Sequence, residues 1–164
     1  MSKGQVIAEA AIRFERLLPA SPQKVWTFLT EPARVGEWYG EGAIEPREGG
    51  RIEFMAGHIR GVVTGWRPCE FFAHTWNVFS PGETVSAWPV SYLEFALAPQ
   101  GKETGLVLTH RPVMSRMQPQ TMMGWHTFLD MLETGIKGEA VGARGTYMQK
   151  NAALYGVNLS NLER

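Results

Sequence analysis

Histidine is the side chain best suited to proton transfer near neutral pH, and this chain has four: His58, His74, His110 and His126. In the run Phe71 to Val78, His74 shares parity with Phe72 and Trp76. In the run Gly105 to Arg111, His110 shares parity with Leu106 and Leu108. On strands, alternation sends each set to one face, so two histidines are expected to project into an apolar interior. A general base needs that placement together with a positioned partner. The simpler reading makes each a hydrogen-bonded core residue. His126 falls at the edge of a helical stripe, and His58 is expected to be exposed. The four show no HExxH or comparable spacing, so no metal site and no cofactor are expected.

Other reactive groups point to less. Cys69 is the only cysteine. It excludes an intrachain disulfide, stands beside Glu70, and is assigned no nucleophilic role. Neither a phosphate-binding glycine loop nor a GxSxG elbow occurs. One of Arg13, Glu15 and Arg16 could face inward to anchor a polar ligand group, although exposure at a sheet edge is the simpler reading. Aromatic residues offer more. Trp38, Trp76, Trp88 and Trp125 could wall a pocket, or could simply be core. Met114, Met117, Met122 and Met123 would fill gaps or form a pliable pocket mouth.

These residues need elements to position them. Ala11 to Leu18 alternates as a strand. Ser21-Pro22 opens a helix, SPQKVWTFLT, which Glu31-Pro32 ends. A second short helix is expected from Pro32 to Trp38. Strands follow at Ala43 to Arg47, Arg51 to Met55, His58 to Trp66, Phe71 to Val78, Val90 to Ala98 and Gly105 to Arg111. Short tight turns between them imply an antiparallel meander. Pro119 to Lys137 then repeats apolar residues at Met122, Trp125, Leu129, Leu132 and Ile136, widened by Phe128. That is a helix with one buried face. Thr127, Asp130, Glu133 and Lys137 are placed on its solvent side. Residues 140–164 could form a small docked helix or a partly ordered tail.

Composition bounds the class. A chain of 164 residues with 44% apolar and 20% charged content suits one globular domain. Sixteen basic residues balance sixteen acidic ones, so no global field draws nucleic acid or an anionic membrane. No apolar stretch reaches membrane-spanning length. MSKGQVIAEA lacks the pattern of a signal peptide, and the lone cysteine fits a reducing compartment; a cytoplasmic protein is expected.

Taken together, PASPQKVWTFLTEP, Trp38, the Glu48-Gly49-Gly50 turn, the run Gly61 to Trp76, LVLTH and the Gly124-Trp125 helix with Leu129 and Leu132 carry a resemblance. The chain resembles the activator of heat-shock protein 90 ATPase homologue 1-like family, within the START-like, or Bet v 1-like (SRPBCC), superfamily. The resemblance implies an α+β helix-grip fold. About seven antiparallel strands would curl around the long C-terminal helix, with two short helices after the first strand and a cavity between sheet and helix. It places a helix-grip domain at 1–139 and an extension at 140–164. Superfamily members bind apolar molecules, and some are aromatic polyketide cyclases.

The leading expectation is therefore a binder of a small apolar or aromatic molecule. Trp38, Tyr39, Phe54, Phe72, His74, Trp76, Phe95, Leu108, His110 and Trp125 are its candidate binding residues. Trp38 and Tyr39 are expected near the mouth. The alternatives are a cyclase or dehydratase using His74 or His110, and a chaperone-linked interaction module. A homodimer is compatible with either.

Overall fold

A computed structural model describes residues 11–162; the segment read for a signal peptide, 1–10, lies outside them. The elements run β1 (Ile12–Leu18), α1 (Pro22–Thr30), α2 (Pro32–Trp38), β2 (Gly42–Ile44), β3 (Arg51–Phe54), β4 (Ile59–Arg67), β5 (Phe71–Val78), β6 (Ser91–Gln100), β7 (Glu103–Arg111), α3 (Gln118–Ile136) and α4 (Arg144–Tyr155). The seven strands form one antiparallel sheet in the order β1-β7-β6-β5-β4-β3-β2. The chain adopts the expected helix grip, with α3, roughly 28 Å long at 1.5 Å per residue, packed across the sheet's concave face.

Local chemistry explains the frame. The Ser21 hydroxyl accepts from the Lys24 amide at the start of α1, as an N-cap should. Glu31 is extended before Pro32, which ends α1 and opens α2. The sheet curls at a register shift between Val63 and Gly65 on β4, since an extra residue bends the bulged strand. Gly61 lets β4 approach β5: a Cβ there would collide with the Thr75 carbonyl.

Register carries the interior. One row across the sheet reads Phe14, Leu108, Phe95, Phe72. The next reads Ile12, His110, Leu93, His74. His110 and His74 thus face the same side two strands apart, about 10 Å at ordinary strand spacing.

The solvent side assigned to α3 is corrected by α4. Thr127 is fully buried, and Asp130 is largely enclosed. Asn151 of α4, itself buried, donates to both Thr127 Oγ1 and Asp130 Oδ2 at 3.1 Å. Arg16 turns inward from β1 to meet Asp130 at 3.0 Å and Glu133 at 3.9 Å, so it anchors a helix and not a ligand. Hydrophobic periodicity marks the apolar face of α3; it is blind to a polar face that meets another helix. The stripe also shifts, with Met123 buried and Met122 only partly so.

Trp125 joins α3 to the sheet and is 4% exposed. Trp125→Ala is expected to cost about 3–5 kcal/mol, the range for large aromatic truncations in cores. Urea unfolding of the variant measures it, and a loss below about 1 kcal/mol would contradict the packing.

Candidate functional site

Two hydrogen-bonded chains organise the grip interior. In the first, the Trp125 indole Nε1–H donates to His110 Nδ1 at 3.0 Å. An indole can only donate, so Nδ1 carries a lone pair and the neutral ring holds its proton on Nε2. That proton faces Ser91 Oγ at 2.6 Å, and the Ser91 hydroxyl donates to the Trp76 carbonyl at 3.0 Å. Both His110 nitrogens are therefore engaged. Burial, and then the nearby His74, pull its pKa down to about 3. In the second chain, the Trp76 indole donates to the Tyr39 hydroxyl at 3.0 Å.

His74 differs. Its Nδ1 lies 2.7 Å from the Thr75 carbonyl, an acceptor, so Nδ1 holds the proton and Nε2 presents a lone pair. Burial holds its pKa at about 4, against the raising effect of the Thr75 bond. It is neutral at pH 7 and can accept but not donate through Nε2.

The Tyr39 ring fills the centre. It is 4% exposed and stacks on Trp125 with centroids 5.6 Å apart and planes 9° apart. Phe54 and Phe128 meet it edge-on at 5.0 and 4.8 Å. Burial pushes the Tyr39 hydroxyl up, against the opposing Trp76 bond and Arg144 charge. Trp38 is fixed beside it by a 2.7 Å bond from Nε1 to the Phe28 carbonyl. Neither residue stands at an open mouth, as the sequence suggested; both are enclosed. What remains between sheet and helices is a cavity of about 10 Å³, space for roughly one water.

Seven candidate residues line that cavity: Trp38, Tyr39, Phe54, Phe72, His74, Phe95 and Trp125. Trp76, Leu108 and His110 do not; the first and last stand one hydrogen bond behind the lining, and Leu108 is fully buried. Leu29, Val35 and Leu93 also line it. Leu93 shares parity with Phe95, and the alternation of the Val90 to Ala98 run already places both on the inward side. Trp88 lies away in the β5–β6 loop under the Arg116 guanidinium. A separate open groove of about 310 Å³ runs over Leu17, Ala96, Ala98 and Val107 on the outer sheet face. Among the described residues, no three His, Cys, Asp or Glu side chains cluster to hold a metal ion, and no helix is long and apolar enough to cross a membrane.

Fold and interior together define a helix-grip protein with a closed aromatic core around two neutral histidines. The family model of the activator of Hsp90 ATPase homolog 1-like protein matches residues 19–137, and the chain belongs to that family. Solved structures place it further. CalU16 from Micromonospora echinospora is 25% identical, with 89% of this chain and 86% of that one covered, at a TM-score of 0.72. PFC0360w, an HSP90 activator from Plasmodium falciparum, is 15% identical over 78% and 96% of the two chains, at 0.68. The Aha1 dimer from Colwellia psychrerythraea is 20% identical over 77% and 95%, at 0.62. The last two show the fold alone. Among curated proteins there is no match.

The histidines make stability pH-dependent. Both folded pKa values lie below the ordinary histidine value of about 6.5, so the unfolded chain takes up protons first on acidification. Their contribution is complete above pH 6.5 and is lost as pH falls toward 4 and 3, on the order of 2 kcal/mol per histidine by pH 5. His110→Gln should lower stability at pH 7 yet flatten the loss between pH 6.5 and 5. Urea melts at both pH values test this; losses parallel to wild type would contradict it.

Proposed function

We propose that the protein binds a small aromatic or otherwise apolar molecule between the sheet and α3, in the slot that the Tyr39 ring fills in the closed form. The observation that carries this reading is the stacking of Tyr39 on Trp125 with its hydroxyl on the Trp76 indole. A cavity of about 10 Å³ admits no organic ligand, so binding requires one side chain to leave. Tyr39 is the one placed to do so, because it caps α2 where the helix ends and Gly40 follows. Its departure would uncover two aromatic walls, one indole donor and, nearby, the His74 lone pair. An apolar slot with few polar anchors suits a small uncharged aromatic ligand.

Acid–base catalysis is disfavoured. His110 has both nitrogens engaged, and among the described residues His74 Nδ1 is bonded to the Thr75 carbonyl, an acceptor that returns no proton. An interaction module is the second reading, favoured by the filled interior and by exposed Val85, Val90, Tyr92 and Met114 near one end of the sheet. Membership of a family described by its activator of the Hsp90 ATPase gives this reading a class of partner. A homodimer, the state in which the Colwellia relative was solved, is compatible with both readings and is decided by light scattering.

Titration with 2-naphthol, read by tryptophan fluorescence, tests the binder. Wild type should quench saturably, and Tyr39→Ala should bind about tenfold tighter because the slot is already open. No saturable quenching in wild type at millimolar probe contradicts the proposal, even if the truncated variant binds.

A further inference from the structure

The last helix lies outside the family region, which ends at residue 137, yet its first residue reaches the plug. Arg144 Nη2 donates to the Tyr39 carbonyl at 2.7 Å. The same guanidinium lies over the Phe128 ring, 4.7 Å from its centroid, and Phe128 is the ring packed edge-on against Tyr39. One side chain therefore touches both the backbone of the plug and its neighbouring wall.

The chemistry suits a clasp. Tyr39 is the C-cap of a seven-residue helix, where carbonyls lack intrahelical partners and the helix dipole is negative. A guanidinium satisfies such a carbonyl with a charge-assisted bond, stronger than a neutral one. The rest of α4 is seated on α3 and not on α2. Asn151 bonds Thr127 and Asp130, and the Tyr155 hydroxyl meets His126 Nδ1 at 2.8 Å. Arg144 thus ties α2 to a helix that stays with α3. In the opening proposed below, the end of α2 carries Tyr39 away from α3, and this bond to its carbonyl breaks.

We propose that α4 is a latch: Arg144 holds Tyr39 in the slot, and loss of that hold raises the affinity of the grip interior for an aromatic molecule. The ligand part rests on the binding reading above; the opening part does not. An occupant that binds only the open form has its apparent affinity reduced by the open fraction. A merely structural residue would do the reverse, since its removal loosens the fold and weakens binding.

Two measurements on the full chain separate these outcomes. Indole hydrogen exchange by NMR, without ligand, reads opening. Arg144→Met keeps an unbranched stem against Phe128 but removes the donor. It should speed exchange of the Trp76 indole proton about tenfold, as for loss of one hydrogen bond to a charged group. The Trp125 indole proton, bonded to His110, and the α4 amides from Gln149 to Leu154 should keep their wild-type rates. Arg144→Lys should fall between wild type and the Met variant. The second measurement is 2-naphthol affinity, which should rise by the same factor in Arg144→Met. Unchanged Trp76 exchange, or weaker naphthol binding by the Met variant, overturns the latch. Faster Trp76 exchange with no naphthol binding in any variant keeps Arg144 as the hold on Tyr39 and overturns the ligand.

Discussion

The bond from the Trp125 indole to His110 fixes the interior. It joins the long helix to β7, and it commits His110 to one tautomer. Through Nε2 and Ser91, the same ring reaches the Trp76 backbone on β5. Buried polar groups are tolerated when their partners are present, and from the Trp125 indole through His110 and Ser91 to the Trp76 carbonyl each of them is. The result is a polar thread through an apolar core. It sets the plane of Trp125, and that plane is the surface on which Tyr39 stacks. Displacing the thread would misplace the slot.

The two histidines show how similar sequence signals diverge in space. Both were legible from parity, and both do face inward. His110 has spent its two nitrogens on Trp125 and Ser91, while His74 has spent one on its own strand. Nothing in the alternation of a strand foretells which backbone carbonyl or indole will come within 3 Å. The same limit applies to volume. Periodicity selected Phe72, Phe95 and Trp125 as interior residues, and they are; it could not show that Tyr39 fills the space among them. A side chain at a helix end has no period to betray its direction.

The element order, the antiparallel meander and the long helix were readable because each rests on local chemistry: the Ser21 cap, the Glu31-Pro32 break, the glycine turns and the stripe on α3. The role of α4 was not readable. Its hydrogen bonds to α3 run through Asn151, His126 and Tyr155, and such pairs leave no hydrophobic pattern. Thr127 and Asp130 looked like solvent-facing residues for that reason. Arg144 was equally silent in the sequence, since a basic residue at the start of a helix runs against the usual dipole preference. Its position makes sense only once the carbonyl end of α2 is brought beside it.

The closed interior and its aromatic plug lead to one decisive measurement: a crystal structure of the protein grown with saturating 2-naphthol. The expected result is a naphthyl ring parallel to Trp125, its oxygen within hydrogen-bond distance of Trp76 Nε1, and the Tyr39 ring turned out of the slot. A structure with Tyr39 still stacked on Trp125 and no naphthol between the sheet and α3 would contradict the proposed binding site and turn attention to the exposed end of the sheet around Val85, Val90, Tyr92 and Met114.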